Sequence, residues 1–164
     1  MDSESLPPIA IGCDHAGLAL KRALAAALHD TGHTVLDMGT HDAASVDYPD
    51  IAHAVCAAVE SGRAQRGVLV CGSGVGMSIA ANRHPGIRCA LAGEAATARL
   101  CREHNDANVL ALGARMIGEQ AAREILRVFL ATPFEGGRHI RRLEKLAPTP
   151  ISITGALAEP AVTV

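Results

Sequence analysis

Five times along the chain, a short run of aliphatic residues ends at a glycine or polar residue and gives way to a longer stretch with apolar residues at helical spacing. This alternation is the pattern of parallel strands joined by crossover helices, because a parallel pair cannot be closed by a tight hairpin. It predicts strands near Ile9–Cys13, Thr34–Asp37, Gly67–Cys71, Ile87–Leu91 and Asn108–Leu112. Helices are expected at Gly17–His29, Pro49–Glu60, Gly74–Asn82, Glu94–His104 and Glu119–Leu130, with a short basic helix at about Arg138–Lys145. Pro49 suits a first helical turn, where its missing N–H has no partner to lose.

Such a chain is an α/β protein: a doubly wound, five-stranded parallel sheet in three α/β/α layers, Rossmann-like, with the expected strand order 2-1-3-4-5. At 164 residues it suffices for one domain, residues 1–146. Residues 147–164, APTPISITGALAEPAVTV, are weakly patterned and read as a C-terminal tail, mobile or packed on a neighbouring subunit. With 49% apolar residues but two Phe, one Tyr and no Trp, the core must be aliphatic.

A formal charge of −2, no long basic run and few aromatics give nucleic-acid binding no support. No apolar run is long enough to cross a bilayer, and MDSESLPP has neither a basic start nor an apolar signal core, which predicts a cytoplasmic protein without membrane contact. The five cysteines are odd in number and lack C-x-x-C spacing, so neither a disulfide framework nor a zinc ribbon is expected. The histidines show no metal spacing with acids or thiols, and no metal or other cofactor is called for.

In a doubly wound sheet, ligands sit beyond the carboxyl ends of strands one and three, which here carry CDH and CGSG. The second lies within VLVCGSGVGMSIAANR, Val68 to Arg83, where a thiol stands between a strand and a glycine-rich turn. Gly72, Gly74 and Gly76 let the backbone turn and approach a ligand, and the N–H groups opening the next helix favour an anion. The occupant could be a phosphate or an oxyanion formed during reaction.

Three familiar sites do not fit. A dinucleotide fingerprint needs G-x-G-x-x-G after the first strand, whereas this loop follows the third and has Met77 at the last glycine position. A serine-hydrolase elbow fails because Cys71, not glycine, stands two residues before Ser73. A cysteine-phosphatase loop would carry an arginine where Met77 stands, and without it the charge of a transferring phosphoryl group goes uncompensated. What remains for Cys71 is a thiolate favoured by the helix start and able to take a proton from carbon, or a plain buried cysteine.

Asp14 and His15 follow the first strand; Asp14 can meet sugar hydroxyls or simply cap the helix beyond it, and His15 can lie near a phosphate or hydroxyl. His104-Asn105-Asp106 falls at the amino edge of the sheet, away from CDH and CGSG, so it is either a helix-ending turn or part of a site completed across a homodimer. Arg138 and Arg142, four residues apart, share a helical face that can grip a phosphate or face solvent. Arg115 could add a third guanidinium or a surface ion pair, and Tyr48 could reach a ligand or fill space.

Taken together, IAIGCDHAGLALK, the DYP of Asp47–Pro49, VCGSGVGMSIAANR, REHNDANVLALGAR and FEGGRH resemble ribose-5-phosphate isomerase type B, in the family that also holds galactose-6-phosphate isomerase subunits. The resemblance spans about Ile9 to Leu146. It implies a cofactor-free aldose–ketose isomerase of the pentose phosphate pathway with Cys71 as the base between C1 and C2 and His104 as the ring-opening group. It further implies that Asp14, His15, Tyr48, Gly72, Ser73, Gly74, Val75, Gly76 and Asn105 meet the substrate, and that His15, Arg115, Arg138 and Arg142 hold its phosphate. Ser73, where relatives often carry threonine, would steady the enediolate, with Asp14 beside the reacting atoms. Some relatives use a glutamate elsewhere as base, but cysteine in the CGSG context places this chain with the thiol type. The family includes dimers and tetramers, so the implied partners are a sugar phosphate and a second copy that shares the site. Isomerases of allose 6-phosphate, galactose 6-phosphate or a tetrose phosphate, and a non-catalytic phosphosugar sensor, are the alternatives.

Overall fold

The computed structural model describes residues 6–146, so the expected tail at 147–164 lies outside the described residues. Strand β1 (Leu6–Cys13) leads through a 3-10 turn (His15–Gly17) into helix α1 (Leu18–Asp30), followed by β2 (His33–Asp37) and α2 (Tyr48–Glu60). Then come β3 (Arg66–Cys71), α3 (Val75–Ala81), β4 (Cys89–Leu91), α4 (Ala95–Asn105), β5 (Val109–Gly113) and α5 (Glu119–Ala131). The basic segment is a 3-10 turn (Gly137–His139) continuing into α6 (Ile140–Glu144), rather than one helix from Arg138. No helix among the described residues is long and apolar enough to cross a membrane.

The five strands are parallel, as expected, but their order is β2-β1-β3-β5-β4, which exchanges the last two places of the expected 2-1-3-4-5. The reason is burial. All of β5, VLALG, is buried and needs a strand on either side, whereas β4 is three partly exposed residues, CAL, suited to an edge. Ile87, expected within β4, instead sits in the turn before it, with its N–H bonded to the carbonyl of His84.

Side chains alternate between the two faces of the sheet. Ile9, Ile11, Val68, Val70, Leu110 and Leu112 face α1, α4 and α5, meeting Leu20, Leu24, Leu28, Ile125 and Phe129. Ala10, Leu69, Cys71, Val109 and Ala111 face α2 and α3, meeting Val55, Cys56, Met77 and Ala81. The helix faces follow from spacing: Leu20, Leu24 and Leu28 recur every four residues, so each covers the same strip of sheet. The smaller residues on the second face let α2 and α3 lie close, and Gly12 and Gly67 contribute, since a Cβ on either would fall under 3 Å from a Val55 methyl.

On α1 one charged side chain is buried. Lys21, 1% exposed, places Nζ 2.7 Å from both carboxylate oxygens of Asp37 and from the carbonyl oxygen of Thr40. A buried ammonium is tolerated only when all its donors are used, and these three acceptors use them. The bonds fasten the segment after β2 to α1, next to the end of β1. Lys21→Ala should lower stability by about 1–3 kcal/mol, because the Thr40 carbonyl loses its donor while Asp37 keeps some water. Urea unfolding checks this, and an unchanged midpoint would show that the pair contributes nothing.

Candidate active site

Beyond the carboxyl end of β1, Asp14 turns the chain. Its Oδ1 accepts the N–H groups of Ala16 (3.0 Å) and Gly17 (3.1 Å), so the capping reading of Asp14 holds as local structure. Both bonds fall on Oδ1. The Asp14 N–H donates to the carbonyl of Val70 at 3.2 Å, which ties this turn to the end of β3. Gly17 packs so closely on β3 that a Cβ there would lie 2.6 Å from the Val70 carbonyl oxygen. His15 is exposed on the outer side of the turn.

At the end of β3, Cys71 is 5% exposed and its sulfur accepts the Gly74 N–H at 3.1 Å. Each glycine that follows has a distinct task. At Gly72 the Arg115 guanidinium fills the space of a side chain, with Nη1 3.2 Å from where a Cβ would stand. Gly74 has φ of 78°, in the left-handed region, and lies against the Leu112 and Gly113 backbone. At Gly76 the Tyr48 ring takes the room, 2.7 Å from a Cβ position. Ser73 and Val75 are exposed on the loop, and the Ser73 hydroxyl accepts the Val75 N–H at 3.3 Å. Hydrogen bonds from Ala114 to the Cys71 carbonyl (2.8 Å) and from Arg115 to that of Gly72 (3.0 Å) bring Arg115 alongside.

The other thiols sit in different surroundings. Burial pushes Cys56 up to about 12 and Cys101 up to about 11, and moves Cys13 and Cys89 the same way. Those four stay protonated and inert. Only Cys71 ends a strand where a glycine loop opens onto polar side chains.

The second group gathers at the opposite edge of the sheet. His104 and Asn105 end α4, and Asp106 turns left-handed with φ of 44°. Arg102 donates to Asp106 Oδ1 (2.7 Å) and to the Ala107 carbonyl (2.6 Å), while Arg88 Nε donates to the carbonyls of Asn105 and Asp106 at 3.0 Å. These two guanidiniums hold the loop rigid. The His104 ring stacks on that of His139 with centroids 4.5 Å apart, and Arg138, Arg141, Arg142 and Lys145 line an open cleft at the same end.

Two clusters therefore form. Asp14, His15, Tyr48, Cys71 to Gly76 and Arg115 lie at the carboxyl edge; His104, Asn105, Arg138 and Arg142 lie at the amino edge. Within one chain they are not brought together: Cys71 pairs with Gly113 at one end of β5, and Asn105 precedes the other end, about 13 Å away at ~3.3 Å per residue. His139 and Glu135, beside His104, were not singled out from sequence, because in a run as basic as GGRHIRRLEK the arginines carry the signal.

Residues 9–146 match the family model described as Ribose/Galactose Isomerase. The chain belongs to the ribose/galactose isomerase family. A curated relative in this family, ribose-5-phosphate isomerase B of Escherichia coli, is 46% identical over 138 residues, covering 84% of this chain and 93% of the relative. D-erythrulose-4-phosphate isomerase of Pectobacterium atrosepticum is 41% identical over 140 residues, covering 84% and 91%. The solved ribose 5-phosphate isomerase structure from Thermotoga maritima superposes with a TM-score of 0.85 at 49% identity, covering 86% of this chain and 97% of that one. The ribose/galactose isomerase fold thus accounts for the described sheet and for nearly the whole length of each relative.

Because Gly17 sets the approach of the Asp14 turn to β3, Gly17→Ala should force the two apart and cost about 1–3 kcal/mol. The drop in thermal midpoint checks this; a midpoint equal to wild type would mean the turn yields without strain.

Proposed function

We propose that this isomerase interconverts D-ribose 5-phosphate and D-ribulose 5-phosphate, a reaction of the pentose phosphate pathway, in a site shared by two subunits of a cytoplasmic homodimer. The observation that carries the reading is the placement of the Cys71 thiol at the strand end, bonded by the Gly74 N–H and flanked by the Arg115 guanidinium. The likeness to the Escherichia coli enzyme supports the pentose as substrate.

In this mechanism His104 moves a proton between the ring oxygen and the anomeric hydroxyl, opening the furanose. Cys71 as thiolate removes the proton from C2 of the open aldose, and the electron pair passes to O1, giving a cis-enediolate. Return of that proton to C1, with loss of the O2 proton and gain of one at O1, yields the ketose. The negative charge needs fixed donors, and the Ser73 hydroxyl and the amides of Gly72 to Gly76, on the loop that follows Cys71, would supply them. Asp14, Tyr48 and Asn105 meet sugar hydroxyls. His15, Arg115, Arg138 and Arg142 anchor the phosphate, keeping a small substrate still while the proton moves. No step calls for a metal, so turnover should resist chelator.

The separation of the two groups supports the dimer. His104, Asn105, Arg138 and Arg142 are an entire strand length from Cys71, and a second copy related by a two-fold axis can present its amino-edge group to the first copy's loop. A second substrate reading has a specific basis, the Pectobacterium relative named for a four-carbon sugar phosphate. Nothing in the loop measures chain length, so allose 6-phosphate and galactose 6-phosphate belong in the same comparison.

Cys71→Ala should reduce kcat by about 10²–10⁴-fold with the fold retained, and near-normal turnover would overturn the base assignment. His104→Ala should harm cyclic ribose 5-phosphate far more than an open-chain substrate. Equal loss on both would contradict ring opening. Assayed beside tetrose and hexose phosphates, the pentose should show the highest kcat/KM; preference for another sugar would keep the chemistry and change the substrate.

A further inference from the structure

Among the described residues, one group of side chains has the composition and closeness of a metal site. Ligand atoms of His104, Glu135 and His139 all lie within 4.8 Å of one another. Three separate pieces of backbone bring them together: the end of α4, the segment after α5, and the 3-10 turn at Gly137–His139. The Glu135 N–H donates to the Glu103 carbonyl at 3.0 Å, which fixes that segment beside His104.

The second observation is an orphaned atom. His139 is 5% exposed, and its Nε2 is buried without a hydrogen-bond partner. Its nearest acidic atom is Glu135 Oε2 at 3.6 Å, too far for a hydrogen bond. Buried imidazole nitrogens are ordinarily partnered, and this one stands beside a carboxylate and a second imidazole.

We propose that His104, Glu135 and His139 bind a divalent cation of the zinc class, and that the bound ion withdraws His104 from proton transfer. Two imidazoles and one carboxylate form a three-ligand set with an open fourth position, which borderline ions favour over calcium or magnesium. The rings stack at 17° between planes, so their in-plane lone pairs do not converge as they stand; turning the half-buried His104 ring out of the stack, with a rotamer change of the exposed Glu135, would bring the three donors to about 2.0–2.2 Å from one ion. The nearby Arg138 and Arg142 oppose a cation and keep binding reversible, as suits an inhibitory rather than a structural ion. The inhibitory half rests on the role proposed for His104; the binding half does not.

The test titrates chelator-treated, full-length protein with Co²⁺ and then displaces it with Zn²⁺. The expected result is one Co²⁺ per chain with visible ligand-field bands and no thiolate charge-transfer band, since the cysteines are not ligands. Glu135→Gln and His139→Ala should each weaken binding at least about tenfold, as loss of a ligand must, with unchanged circular dichroism. Glu135→Gln is exposed and tests the site even if His139→Ala disturbs the fold. Equal affinity in Glu135→Gln and wild type, or binding entirely through thiolate, overturns the site. In the activity arm, Zn²⁺ should inhibit sugar-phosphate turnover of wild type in step with occupancy and leave Glu135→Gln turning over at the same concentration. Occupancy without inhibition overturns the inhibitory half. A metal-free wild type that turns over no sugar phosphate fails the isomerase reading, while the Co²⁺ titration still decides the site.

Discussion

A fully buried strand, Val109–Gly113, separates the two halves of this protein's chemistry. Its burial on both faces forces it into the interior of the sheet, between β3 and β4, and parallel pairing with β3 sets Gly113 beside Cys71. The same strand therefore carries Arg115 to the thiol at one end and begins just after His104 and Asn105 at the other. Everything proposed for catalysis depends on that separation, because a chain folded this way cannot bring Cys71 and His104 into contact. The proposed second copy would, since a two-fold axis would make each subunit both lender and borrower.

Around this frame, small residues decide how close parts can come. Gly17 lets the Asp14 turn rest on the Val70 carbonyl, Gly72 leaves room for Arg115, and Gly76 leaves room for Tyr48. The glycine loop thus does more than expose amides: it lets two polar side chains from other elements pack directly against it. Arg88 and Arg102 perform the corresponding service at the other edge, fixing the backbone that carries His104.

Much of this was legible in the sequence. The strand and helix alternation, the placement of CDH and CGSG at the carboxyl edge and of His104-Asn105 at the amino edge, and the family all follow from residues read in order. The order of the last two strands did not, because the expectation that successive strands lie side by side ignores burial; VLALG against CAL contained the answer. Lys21 was also hidden, since its place in LALKRALAAALHD looks like an ordinary solvent lysine until the segment after β2 folds over it with Asp37 and Thr40. His139 was missed for a related reason: its partner His104 is remote in sequence, and only the packing of the Gly137–His139 turn against the end of α4 joins them.

The measurement that tests the account most directly mixes two inactive variants. Cys71→Ala and His104→Ala subunits, unfolded together and refolded at equal concentration, should recover activity on ribose 5-phosphate. Random pairing puts half the molecules in mixed dimers with one intact site each, so about a quarter of wild-type turnover is expected for a two-fold dimer. Recovery near that value would show that thiol and imidazole come from different subunits. A mixture no more active than its separate components, with mixed dimers demonstrated, would contradict the shared site.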